Sequence, residues 1–97
     1  MIETREFLDF LWSNGVRKIY LSHDPRAPTP AIKLSKLLRD HGFMTYIGYQ
    51  IRPYGKEIVG QTIAQCDLTI VVNPTRDNEK LLIELGKEVI ELSIEEV

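Results

Sequence analysis

The apolar positions of this chain alternate between helical and strand-like spacing. Phe7, Leu8, Leu11 and Trp12 fall on one helical face behind Thr4, a residue suited to capping, and Asn14-Gly15 closes the segment. Lys18-Ile19-Tyr20-Leu21 reads as a short strand, followed by a polar, proline-rich stretch from Ser22 to Pro30. A second helix is expected with Thr29 as N-cap and Pro30 at the first helical position. Ala31, Leu34, Leu37 and Leu38 form its buried face, and Gly42 stops it. Phe43 to Ile51 is rich in aromatic and β-branched residues, which predicts a strand; Gly48 marks a bulge within it or its end. Arg52-Pro53-Tyr54-Gly55 is a turn, after which Ile58, Val59, Thr62, Ile63 and Cys66 resume helical spacing.

The run Leu68-Thr69-Ile70-Val71-Val72 is too continuous for a strand with one wet face and suits one covered on both sides. The polar turn Asn73 to Asn78 cannot continue it, and Leu81, Leu82 and Leu85 then give a short helix that holds Glu84. From Val89, Ile90, Leu92 and Ile94 alternate with Glu91, Ser93 and Glu95, as in a strand with one solvated face or at an edge. Helix and strand thus alternate through the chain, which predicts a parallel sheet with helices on both faces. Right-handed crossovers leave few windings for four strands, and the expected order is 2-1-3-4. Chain direction reverses between the first and third strands, so Ser22–Thr29 and Asn73–Asn78 should line the crevice where ligands of such sheets bind.

Bulk composition narrows the function. At 97 residues the chain is expected to form one domain. Its net charge of −2, with both signs dispersed, lacks the basic stripe that a nucleic-acid partner requires. Cys66 is the sole cysteine, so no intrachain disulfide or cysteine-based metal cluster is expected. No apolar run reaches the roughly 18 residues of a membrane span, and the N-terminus lacks the form of a signal peptide. The expected location is cytoplasmic, with no membrane partner.

Around the crevice, the first loop supplies Ser22, His23, Asp24 and Arg26, then a helix start at Thr29 whose N–H groups attract phosphate or carboxylate. The plainer alternative is that Asp24 and Thr29 only cap and turn the chain. The glycine-rich nucleotide fingerprints are absent after both central strands. His41 beside Gly42 reads as a helix-end residue, while His23 is a candidate acid, base or ligand contact. With no second histidine or cysteine at ligand spacing, neither a metal nor a cofactor is called for. Ser22 and His23, as strand neighbours, point to opposite faces and form no catalytic dyad. Glu84 stands four residues after Lys80, and a surface ion pair is the competing reading. Cys66 follows its helix's apolar face and reads as a buried thiol, and Trp12 as core. Asp24 as a phospho-acceptor would need an acidic pair on an earlier strand, which is missing.

The segments IYLSHDP (19–25), LSKLLRDHGF (34–43), IRPYGKEIVGQTIAQCDLTIVVNP (51–74) and KLLIEL (80–85) together resemble a Toll/interleukin-1 receptor (TIR) domain of the prokaryotic type. Ile51-Arg52-Pro53-Tyr54-Gly55 is similar to that family's loop motif, with Tyr54 inserted, and Asp67–Val72 to its Asp-led buried strand. The resemblance implies a flavodoxin-like three-layer α/β sandwich with a four-stranded parallel sheet. It implies either cleavage at the nicotinamide–ribose bond of NAD or homotypic association. In the cleaving members a helix glutamate is essential, and it corresponds to Glu84. Arg52 and Tyr54 would belong to the loop that borders the pocket and touches partner domains. Three departures stand out. Lys80 replaces a frequent tryptophan, the 73–78 turn is short, and the family's last strand and helix have no counterpart, so the N-terminal helix is expected to cover the open face. A fainter likeness links Ile19-Tyr20-Leu21 and Glu84-Leu85-Gly86 to nucleoside 2-deoxyribosyltransferases, which also use a glutamate at an anomeric carbon.

The combined expectation is a domain that binds or cleaves the N-glycosidic region of NAD or a related nucleotide or nucleoside. Glu84 would act at the anomeric carbon, and Ser22, His23, Arg26, Thr29, Asn73, Thr75 and Arg76 would hold the ribose and phosphates. The alternative is an inactive module that associates with copies of itself, for which self-association is the expected partner contact.

Overall fold

The computed structural model describes residues 4–72 and 89–92, the side chains of Thr4 and 89–92 excepted. These residues form a mixed α/β unit. Helix α1 (Thr4–Ser13) leads into strand β1 (Lys18–His23), α2 (Thr29–Asp40) and β2 (Met44–Ile47). A single helical turn, α3 (Gly48–Ile51), and a 3₁₀ turn at Arg52–Tyr54 then precede α4 (Lys56–Gln65) and β3 (Leu68–Val72).

β2, β1 and β3 are parallel neighbours in that order, with Ile19 opposite both Thr45 and Leu68. Beyond β3 the backbone of β4 (Val89–Leu92) pairs in parallel, Thr69 opposite Val89 and Val72 opposite Leu92. All five residues of β3 are buried, as its unbroken apolar run requires.

Side chains alternate across the sheet and divide the core in two. Ile19, Leu21, Ile70 and Val72 pack in one cluster with Leu8 and Leu11 of α1 and Leu34 and Leu38 of α2. Tyr20 and Val71 point the other way and meet Val59, Ile63 and Cys66, on and just beyond α4. Ile58 and Thr62 were expected on that inner face. Instead Ile58 is exposed, and Thr62 is half-buried with its hydroxyl donating back to the Ile58 carbonyl at 2.8 Å.

Glycine ends α2 as expected. At Gly42 (φ 92°) the Gly42 N–H bonds the Arg39 carbonyl and the Phe43 N–H bonds that of Leu38. This pair of bonds satisfies carbonyls that a helix end otherwise leaves bare, and Phe43 and Leu38 are buried in the same cluster. His41 adds a third, its Nδ1 donating to the Leu37 carbonyl at 2.9 Å.

Several expectations are corrected. β1 does not stop at Leu21 but runs through Ser22 and His23, because β3 offers ladder partners as far as Val72. Thr29 is the first helical residue of α2 rather than its N-cap; Pro28 holds the cap position and no side chain caps the helix. The strand expected over Phe43–Ile51 ends at Ile47, where the chain bends into α3. Trp12 is not core: it remains 47% exposed at the rim, with the Arg17 guanidinium 3.5 Å from its ring centroid and Phe43 edge-on at 5.5 Å. Leu8 and Leu11, in contrast, are buried as expected of an N-terminal helix that covers the sheet. Among the described residues no helix is long and apolar enough to cross a membrane.

Candidate functional site

The carboxyl ends of β1 and β3 lie side by side, His23 opposite Val72. β2 follows β1 in the chain but pairs on its other edge, so this is the point where the winding reverses direction, the position at which the ligand crevice of an open α/β sheet is expected. Ser22 and His23 are both buried there, 6% and 0% exposed. They sit on consecutive ladder positions and therefore on opposite faces.

His23 has both ring nitrogens engaged. Nδ1 lies 2.8 Å from the Asp24 carbonyl, which can only accept, so Nδ1 carries the proton. Nε2 accepts the Tyr49 N–H at 3.0 Å. The ring is thereby fixed as a neutral tautomer. Burial pushes its pKa below the ordinary histidine value; the Asp24 hydrogen bond works against that, and the nearby Arg52 charge adds to it. A ring in this state anchors backbone rather than shuttling protons.

The next residues turn the chain. Asp24 Oδ1 accepts the Arg26 N–H at 2.9 Å, and the Asp24 carbonyl accepts the Ala27 N–H at 2.9 Å. Asp24 thus has the plainer, turn-forming role. The Arg26 N–H bond, helped by the Arg26 charge, lowers the Asp24 pKa. The Arg26 guanidinium, with Nε 3.5 Å from Asp24 Oδ1, is 91% exposed. Prolines at 28 and 30 leave α2 fewer N–H groups to offer an anion than most helix starts, namely those of Thr29 and Ala31.

Arg52 joins the site from the 3₁₀ turn that follows β2 and α3. Its guanidinium donates to the His23 carbonyl and lies over Gly48, where an added Cβ would sit 3.3 Å from Nη2. Arg52 is therefore turned inward, onto the tip of β1. Tyr54, two residues on, stands 71% exposed at the end of the segment.

Of the site residues expected from sequence, the fold gathers Ser22, His23, Arg26 and Thr29 along one path out of β1 and adds Arg52 to it. Tyr54 stays apart. Asn73, Thr75, Arg76 and Glu84 lie outside the described residues. The anchoring function of His23, and Tyr49 as its partner, were not foreseen. The available signal was the position of the turn residues: Asp24-Pro25, not Ser22-His23, is the first pair after Leu21 that breaks a strand.

No family model, curated protein or solved structure matches this chain.

Proposed function

We propose that this chain is a TIR-like domain of flavodoxin-like architecture, a four-stranded parallel sheet of order 2-1-3-4 with helices on both faces. In this reading it binds NAD or a related nucleotide or nucleoside at the carboxyl ends of β1 and β3. The observation that carries the reading is the pairing of His23 with Val72, which brings the Ser22–Thr29 path to the edge where the chain leaves β3 toward Glu84. A carboxylate beside the ribose stabilises the positive charge that develops at the anomeric carbon, or attacks it. Nicotinamide leaves as a neutral base, so no general acid is needed, which is compatible with a His23 whose nitrogens are both occupied. Ser22, Arg26, Thr29, Asn73, Thr75 and Arg76 are the groups proposed to hold ribose and phosphates.

The second reading, an inactive module that associates with itself, is favoured by one feature. Tyr49, Tyr54 and Ile58 are all exposed along one segment beside the crevice. Incubation of the protein with NAD separates the two. The enzymatic reading expects nicotinamide release that falls about a hundredfold or more in Glu84→Gln. Absence of release at concentrations where the protein self-associates overturns it. Weakening of that association by Tyr54→Ala then supports the module. Tyr54 is the cleaner probe, because Arg52→Ala would also strip a donor from the His23 carbonyl.

A further inference from the structure

Two groups from the 48–55 segment converge on one residue of β1. The Tyr49 N–H is held by His23 Nε2 at 3.0 Å, and the Arg52 guanidinium by the His23 carbonyl. The rings of His23 and Tyr49 also lie close, 6.1 Å between centroids. We propose that His23 is a proton-operated latch: its neutral ring holds the 48–55 segment against the tip of β1, and a proton taken up at Nε2 releases it.

The chemistry follows from the hydrogen-bond roles. Nδ1 is committed as a donor to the Asp24 carbonyl, so Nε2 is the sole position where a further proton can bind. Once protonated, Nε2 becomes a donor facing the Tyr49 N–H, another donor. His23 is fully buried, so water cannot take over as acceptor without the segment moving. The ionisable groups that meet the ring among the described residues work in both directions. Arg52, from the 3₁₀ turn, opposes a second positive charge, while the Asp24 carboxylate favours one but is already bonded to Arg26. The Tyr49 phenol accepts from Gln50 Nε2 at 3.2 Å. Val71 and Val72 of β3 and the first turn of α2, Thr29 to Ile32, carry no ionisable group.

Release would free Arg52 from the His23 carbonyl and displace Tyr54 with it. The latch therefore governs both the rim of the crevice and the exposed tyrosines, and it holds whichever of the two functional readings is right.

Amide hydrogen exchange of the full chain by NMR, between about pH 5 and pH 7.5, tests it. The Tyr49 protection factor is expected to fall about tenfold per pH unit below about 6.5, levelling at the lower pKa of the buried ring. The Tyr46 amide, in the ladder with β1, should stay flat over the same range. In His23→Gln the side-chain oxygen accepts the Tyr49 N–H at every pH, and the slope should vanish. The ¹⁵N shifts of the wild-type ring should place its proton on Nδ1. A flat Tyr49 protection factor, a proton on Nε2, or an undiminished slope in His23→Gln overturns the latch. If His23→Gln does not fold, the two wild-type measurements decide the matter alone.

Discussion

Asp67 fastens the base of the sheet, at the opposite end from the crevice. Its Oδ2 accepts the backbone N–H groups of Arg17 at 2.9 Å and Lys18 at 3.0 Å, and these bonds hold its pKa below the ordinary 3.8. Because the folded carboxyl binds its proton less readily than the unfolded one, this stabilisation is present above about pH 4 and fades as pH falls through the folded value. Asp67→Ala is expected to cost about 1 kcal/mol in urea unfolding at neutral pH, a modest figure because the carboxylate is exposed. The gap between the two proteins should narrow as the pH drops below that range; a gap constant down to pH 2 would contradict this account of the clasp. Roles of this kind were only partly legible in the sequence. Asp67 stood out as the leader of a buried strand, yet its partners lie some fifty residues earlier, and no local pattern names them. His23 was visible as a candidate, but burial and two occupied nitrogens make it an anchor, and those are properties of its neighbours.

Between elements, α2 grips β2 through a small polar knot. Arg39 donates from Nε to Thr45 Oγ1 at 2.8 Å and from Nη2 to the Thr45 carbonyl at 3.0 Å, while Ser35 and Thr45 share a hydroxyl bond at 2.7 Å. Among the described residues β2 is an edge strand, and the Met44 N–H turns inward to the Arg17 carbonyl, so the Thr45 carbonyl faces the side away from β1. Arg39 thus occupies an acceptor that an incoming strand would need. Arg39→Ala is expected to raise concentration-dependent self-association in sedimentation; a variant that sediments as the wild type does would contradict this reading. Elements were the most legible level. The spans of α1 and α4, the Gly42 stop and β3 follow from spacing and turn residues. The segment 43–51 was misread because its aromatic and β-branched residues fit a strand. Met44–Ile47 already matches Lys18–Leu21 of β1, and the residues beyond curl back so that Tyr49 and Arg52 reach His23.

At the scale of the whole molecule, alternation along β1 and β3 assigns the α1/α2 and α4 cores to opposite faces. The same parallel pairing brings the strand tips together at the crevice. This much of the topology was legible, since right-handed crossovers permit few windings. The site was legible only in outline, because a carboxylate's reach depends on where the segment after Val72 runs. The central claim, that a nucleotide occupies the crevice at the tips of β1 and β3, is tested most directly by titrating the ¹⁵N-labelled protein with NAD. Amide shift changes concentrated at Ser22–Thr29 and in the residues that follow Val72 are the expected result. Saturating NAD that leaves those amides unmoved, or that shifts only the Arg17, Lys18 and Asp67 end of the sheet, would contradict it.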